Sequence, residues 1–281
     1  MIRAEIIHAG GVPLCVERFG DPADPAILLI HGAGNSMLSW DEELCGKLAG
    51  GGRLVIRYDL RDAGRSVTYA PGTAGYGYAE LVEDAAALLD ALGVARAHVV
   101  GMSFGGGIGQ LLALDHPERV AALTLASSTP GGPGHAAPDL PGPSEDLDEP
   151  PEPDWSDRDA VVEYLVEAER PFAARSRPYD EDRARKLMRR VVEHSSNIEW
   201  SLTDSGSFDL GDPWRERLGS LRAPTLVVHG TEDPLFPYEH AEALAREIPS
   251  TELLPLEATG HEYFPPHTWD VVVPAILGHT S

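Results

Sequence analysis

The stretch that most constrains this chain is His98-Val99-Val100-Gly101-Met102-Ser103-Phe104-Gly105-Gly106-Gly107. A β-branched apolar run enters a knot of small residues with a serine at its centre. A helix-compatible run, Ile108 to Leu114, leaves it. The spacing Gly101-x-Ser103-x-Gly105 is that of a sharp strand-to-helix elbow. The backbone of the central serine is strained in such an elbow. Only small neighbours, two residues before and two after, let strand and helix pass that closely. The same spacing also suits a plain β–α turn whose serine caps the helix. The elements around the knot, and the residues downstream of it, decide between the two.

Those elements alternate. Residues 2–8 and 12–18 read as a strand pair joined by His8-Ala9-Gly10-Gly11, and residues 26–30 as a strand buried on both faces. Further strands are expected over 54–58, 97–100 and 120–126, with helices over 40–48, 78–92 and 108–114. The pattern breaks at about residue 130. Residues 130–154 are rich in Pro, Gly, Asp and Glu, which excludes strand and core helix there. Helical segments follow near 157–170 and 180–195, with Trp155, Tyr164, Phe172, Trp200, Phe208 and Trp214 scattered through the region. Alternation resumes with strands at 225–229 and 251–256 and helices at 238–247 and 268–277. Strands and helices in alternation imply a mostly parallel sheet flanked by helices. The expected organisation is a core of residues 1–129 and 216–281, with a mostly helical cap, 130–215, inserted before the last two strands. An insertion at the loop end of such a sheet lies where ligands bind in open α/β folds.

The chain has 281 residues and a formal net charge of −23. That balance argues against nucleic acid and anionic membrane surfaces as partners, since both need clustered Lys and Arg. Cys15 and Cys45 have no metal-site spacing and make no disulfide framework, so both are read as reduced and structural. Met1-Ile2-Arg3-Ala4-Glu5 lacks the apolar stretch of a signal peptide, and no run has transmembrane length; a cytoplasmic location is the expectation. No cluster has metal-ligand spacing and no dinucleotide fingerprint is present, so no cofactor is expected. Monomer and homodimer both stay open.

A serine hydroxyl needs a base within hydrogen-bond reach and a third group to orient that base. Two later strand ends supply candidates. Val228-His229-Gly230-Thr231-Glu232-Asp233-Pro234 places Asp233 in a turn fixed by proline, with the adjacent Glu232 as alternative acid. Ala258-Thr259-Gly260-His261-Glu262 places His261 behind a glycine that lets its loop turn back toward the sheet. The order Ser103, Asp233, His261 suits this architecture. The other histidines singled out, His31, His98, His116, His135, His229 and His267, lack such a context and read as structural. Charge developing on a substrate carbonyl oxygen needs preorganised N–H donors. Phe104, at a helix N-terminus, offers one. His31-Gly32-Ala33-Gly34 offers the second, with Ala33 chosen and Gly34 the alternative. The turn Asp59-Leu60-Arg61-Asp62-Ala63-Gly64-Arg65-Ser66 reads as an ion-paired support rather than a catalytic group.

With these residues placed, the chain resembles the α/β-hydrolase superfamily over almost its full length. The match rests on His31-Gly32-Ala33-Gly34, Gly101-Met102-Ser103-Phe104-Gly105-Gly106, Asp233 and Gly260-His261. Phe19-Gly20-Asp21-Pro22-Ala23-Asp24-Pro25 and Val55-Ile56-Arg57-Tyr58-Asp59-Leu60-Arg61-Asp62-Ala63-Gly64-Arg65-Ser66 are similar to the aclacinomycin methylesterase group, actinomycete enzymes that cleave a methyl ester on an anthracycline polyketide. The resemblance implies a cofactor-independent serine esterase acting on an apolar small-molecule ester. It departs in the acidic, Pro-rich stretch 138–154. Perhydrolase, thioesterase, lactonase or C–C hydrolase activity on the same three residues is the alternative, and a non-catalytic binding protein is a further one.

Overall fold

The structure is a computed structural model that describes residues 4–70, 73, 75–203 and 208–280; residues 2 and 3 of the first expected strand lie outside them, as does the side chain of Trp200. Eight strands form one sheet in the order β1-β2-β4-β3-β5-β6-β7-β8. Strands β1 (Glu5–Ala9), β2 (Val12–Phe19) and β4 (Leu54–Tyr58) pair antiparallel. From β4 onward, β3 (Ala26–Ile30), β5 (Ala97–Met102), β6 (Val120–Ala126), β7 (Thr225–Gly230) and β8 (Thr251–Leu256) run parallel. Every residue of β3, β4 and β7 is buried, as strands between two helical layers must be, and the buried cation among them, Arg57, pairs with Glu17.

One layer is α2 (Tyr78–Ala91), α3 (Phe104–Asp115) and α7 (Glu239–Glu247), whose apolar stripes meet Leu28, Ile30, Val99, Leu125 and Val227 of the sheet. The other is α1 (Glu42–Gly50) and α8 (Trp269–His279), packed on Ile27, Leu29, Val100 and Val228. Each fully buried Leu, Ile or Val side chain contributes about 1.5–3 kcal/mol. Cys15 in β2 and Cys45 in α1 are buried and unpaired. Among the described residues no helix is long and apolar enough to cross a membrane.

The helical insertion lies between β6 and β7, as expected. It contains α4 (Arg158–Glu169), α5 (Glu181–His194) and the short α6 (Ile198–Thr203). Residues 127–157 carry no helix or strand. Helices α4 and α5 close an apolar cluster of their own, Val161, Val162, Leu165, Val166, Met188, Val191 and Val192, seated on Met37 and Leu38 of the core. Two ion pairs and a hydrogen bond hold α5 down: Arg183 to Asp41, Arg190 to Glu42, and His194 Nε2 to the buried Asp59 at 2.7 Å. Trp214 packs elsewhere. It is buried against α2 and α3, and its indole N–H donates to Gln110 Oε1 at 3.1 Å.

Candidate active site

The elbow is strained. Ser103 sits at φ 52°, ψ −113°, a left-handed conformation for a residue with a side chain, immediately before α3. Its glycines are sterically required. A Cβ on Gly101 would lie 2.2 Å from the Gly105 carbonyl oxygen, and one on Gly105 would lie 2.4 Å from that of Ile30. The turn is locked by Ser103 N–H donating to Ala126 O at 2.9 Å and by Ser128 Oγ donating to Ser103 O at 3.1 Å.

Asp233 lies three residues past β7 and is buried. Its Oδ1 accepts the N–H groups of Leu235 and Phe236 at 2.9 and 2.8 Å. Its Oδ2 accepts His261 Nδ1–H at 2.8 Å. Burial would raise this carboxyl. The charge and hydrogen bond of His261, then His229 and the Phe236 N–H, outweigh burial and hold it below the usual carboxylate range. His229 steadies the same turn by donating Nε2–H to Phe236 O at 2.8 Å, and burial keeps its ring neutral by lowering its pKa. Glu232 points elsewhere: its carboxylate takes the backbone N–H of Ser176 at 2.9 Å and the Ser176 hydroxyl. Between the two carboxylates, the structure therefore puts Asp233 on the histidine.

His261 is clamped from the insertion. Its N–H donates to Phe172 O at 2.8 Å, and the rings of Phe172 and Phe236 lie 6.0 and 5.4 Å from the imidazole. Gly260 is required here, because a Cβ would fall 2.1 Å from Phe172 O. Glu262 ties the loop further. It accepts Gly260 N–H at 3.0 Å and Ala174 N–H at 3.3 Å, and pairs with Arg177 at 2.5 Å. Sequence reasoning passed over Glu262, which carries no signal beyond its place beside His261.

The structure joins Asp233 to His261 directly. Ser103 stands at the same end of the sheet, with no hydrogen bond from its Oγ to His261. Such nucleophile–base bonds are often long in an empty site and tighten around substrate. The link between the two loops is Gly32. Its N–H donates to Tyr263 Oη at 2.5 Å, and a Cβ on it would lie 3.5 Å from Ser103 Cβ.

Ala33 and Phe104 line one cavity of about 230 Å³ with Leu60, Ala63, Tyr76 and Phe208. Phe104 opens α3, so its N–H has no partner within the helix. Among the described residues the Ala33 N–H makes no hydrogen bond either. The loop carrying Ala33 is braced by His31, whose Nδ1–H donates to Gly32 O at 2.8 Å while Nε2 accepts Leu60 N–H at 3.0 Å. Burial lowers the pKa of that ring, which suits this neutral tautomer. The charges lining the cavity are engaged: Arg61 forks onto Asp84 at 2.6 and 2.8 Å, and Asp62 accepts the Tyr76 hydroxyl at 2.8 Å. The walls thus combine apolar and aromatic side chains, Leu60, Ala63, Tyr76, Leu81 and Phe208, with the polar Asn35 and Ser201.

Residues 25–268 match the family model described as the alpha/beta hydrolase fold. The chain belongs to that family. This α/β hydrolase is 35% identical over 96% of its length, and 95% of the relative's, to a rhodomycin D methylesterase of Streptomyces sp. (strain C5). It is 31% identical to a putative carbamate hydrolase of Variovorax paradoxus over 90% of both chains. The fold matches that of a meta-cleavage product hydrolase from Pseudomonas fluorescens IP01, with a TM-score of 0.76, 22% identity, and 98% and 96% of the two chains covered.

One further cluster is structural in its bonding. Cys15, Asp59 and His194 bring a thiol, a carboxylate and an imidazole within 4.8 Å of one another. The Asp59 carboxylate is already taken by Met37 N–H at 2.9 Å, Arg65 N–H at 3.0 Å and His194 Nε2 at 2.7 Å. Burial, then the Asp59 charge, push the Cys15 thiol up to about 12. The cluster fastens α5 to the turn after β4.

Proposed function

We propose that this α/β hydrolase cleaves a carboxylic ester through Ser103, His261 and Asp233, with Ala33 and Phe104 as oxyanion donors. The observation that carries the reading is the Asp233–His261 pair, in which two backbone N–H groups aim the carboxylate at Nδ1. With its proton fixed on Nδ1, the imidazole presents Nε2 as a base. Ser103 Oγ adds to the ester carbonyl as Nε2 takes the hydroxyl proton. The resulting oxyanion is held by the two N–H groups, each worth about 3 kcal/mol in the transition state. Collapse breaks the bond to the alkoxy oxygen, which leaves with the proton from Nε2 as an alcohol. Water then adds to the acyl-enzyme, giving its proton to Nε2. The second collapse returns that proton to Ser103 Oγ and frees the carboxylic acid.

The substrate is a small apolar ester. The rhodomycin D methylesterases supply the closer reading, a methyl ester on a polyketide-like molecule. Residues 130–215 act as the cap that shapes its pocket, over a core of 1–129 and 216–281. Ser103→Ala is expected to lose at least about 10⁴-fold in turnover of a short p-nitrophenyl ester, and all labelling by a fluorophosphonate probe, without a change in melting temperature. Near-normal turnover by Ser103→Ala overturns the assignment.

A further inference from the structure

The acidic, Pro-rich stretch 138–154 has no task in that mechanism, yet it reaches the turn of Asp233. None of its residues is buried, so no core of its own holds it. It is fastened by polar contacts at Asp139, Pro141, Ser144 and Asp146. Arg215 bridges Asp139 and Glu247 of α7, both at 2.6 Å. Arg175 donates to Ser144 Oγ at 3.1 Å and pairs with Asp146 at 2.8 Å. Ser144 N–H donates to Pro234 O at 2.7 Å, and Pro141 O accepts Nε2–H of His240 at 2.9 Å. Exposed ion pairs such as Arg175 to Asp146 contribute little. The last two contacts lead inward.

Pro234 O and Leu235 N–H belong to one planar peptide. The bond from Ser144 therefore fixes the direction of the N–H that grips Asp233 Oδ1 at 2.9 Å. His240, in the first turn of α7, is buried and joins the stretch to two strand ends. Pro141 O can only accept, so Nε2 carries the ring proton and Nδ1 accepts from Thr129 Oγ1–H at 2.8 Å. Thr129 lies three residues past β6, and its carbonyl takes Gln110 Nε2–H at 2.9 Å. The Phe236 ring lies 5.3 Å from the His240 ring and 5.4 Å from that of His261. Phe236 also supplies the second N–H on Asp233 Oδ1, at 2.8 Å.

We infer that His240 and the Ser144 N–H are positioning groups for Asp233. His240 seats the stretch through Pro141, and Ser144 then orients the Pro234–Leu235 peptide that aims the carboxylate at His261. His240 also backs the Phe236 ring, so both backbone donors on Oδ1 are steadied from the same side chain. Neither group touches the reacting atoms. Their effect passes through the direction of one carboxylate, and a misplacement of about 1 Å in such a group costs up to about 10²-fold in rate. The stretch thus works as a strap over the turn of Asp233. The inference rests on the reading of Ser103, His261 and Asp233 given above.

The test measures kcat and KM for a short p-nitrophenyl ester, at a temperature well below each variant's melting temperature. His240→Ala is expected to lower kcat at least about tenfold with KM within about threefold of wild type. The same substitution on an Asp233→Asn background should change kcat by less than about threefold, because no carboxylate is left to aim. Ser144→Pro removes the N–H and should lower kcat at least about threefold, whereas Ser144→Ala keeps the N–H and should stay within about twofold. A kcat for His240→Ala within threefold of wild type overturns the inference, as does a tenfold loss that persists beside Asp233→Asn. If His240→Ala does not fold, the Ser144 pair decides, and equal kcat for its two variants overturns the inference. Near-normal kcat for Asp233→Asn alone overturns the reading of the three residues, and this inference with it. An inert His240→Ala beside a crippled Asp233→Asn overturns this inference only.

Discussion

Replacing Asp233 by asparagine tests the site most sharply, because the structure dictates how the new amide must sit. Oδ1 of Asp233 is held by two backbone donors, the N–H groups of Leu235 and Phe236. In Asp233→Asn the amide oxygen must keep that place, since an NH₂ there would face two N–H groups. The NH₂ then occupies the Oδ2 position, 2.8 Å from His261 Nδ1. It is a donor where an acceptor stood. His261 answers by losing its proton from Nδ1 and carrying it on Nε2, the atom that should take the proton of Ser103. The base is then in the wrong tautomer, and the carboxylate charge that stabilised the imidazolium is gone. A comparable change in a serine-triad enzyme costs about 10⁴-fold in kcat, which corresponds to about 5 kcal/mol of barrier. The geometry here is no more forgiving, because His229 Nε2, 3.4 Å from the same Oδ2, carries its proton for Phe236 O and offers the NH₂ no acceptor.

The assay is steady-state turnover of a short p-nitrophenyl ester at neutral pH, with fluorophosphonate labelling as a second readout. Asp233→Asn should lose about 10⁴-fold in kcat, with labelling slowed in parallel. Glu232→Gln serves as the matched control. Glu232 bonds Ser176 of the insertion rather than His261, so its loss should leave kcat within about threefold of wild type. A kcat for Asp233→Asn within tenfold of wild type would refute the reasoning. So would a larger loss from Glu232→Gln than from Asp233→Asn.

Three other outcomes follow from the packing and the charges. Gly101→Ala is expected to yield no soluble folded protein, or to cost more than about 4 kcal/mol in urea unfolding, because its Cβ would meet backbone atoms at 2.2 Å that cannot step aside. Glu262→Ala should lower kcat by about tenfold, or about 1.4 kcal/mol of barrier, by freeing Gly260, Ala174 and Arg177 together; Glu262→Gln, which keeps an acceptor, should recover most of it. His98 gives an acid-sensitivity prediction. Burial, then the charges of Arg53, His279 and Arg96, lower its pKa from 6.5 to about 4. Below pH 6.5 the unfolded chain binds the proton that the folded chain refuses, so stability from this site is complete above pH 6.5 and falls as pH drops toward 4. His98→Leu should flatten that part of the urea-stability profile between pH 7 and pH 4.

What could be read from the sequence, and what could not, divides along contact distance. The elbow, the strand ends and the order of Ser103, Asp233 and His261 are local patterns. Each is set by a few consecutive residues, and the sheet brings them to one edge by strand order alone. Helix α3 shows where local reading falls short. The sequence suggests a start near Ile108, because the run Gly105-Gly106-Gly107 disfavours helix by about 1 kcal/mol per glycine relative to alanine. The helix starts at Phe104 because Ile30, Ser128 and Tyr78 crowd those three positions, and only glycine fits against them. Tertiary packing overrides propensity at the place where the site needs a helix N-terminus. Trp214 is legible only as one of several late aromatics; its partners Gln110 and Tyr78 lie more than a hundred residues upstream. The same holds for Glu262 and Tyr263. The Tyr263–Gly32 bond spans 231 residues, and no spacing rule links the two. Motifs thus mark the groups that carry out the chemistry, since reaction geometry fixes their order on the sheet. Groups that meet only through the fold, such as Tyr263 on the histidine loop and Gly32 on the loop after β3, follow no such order, and their bond is visible only once both loops are in place.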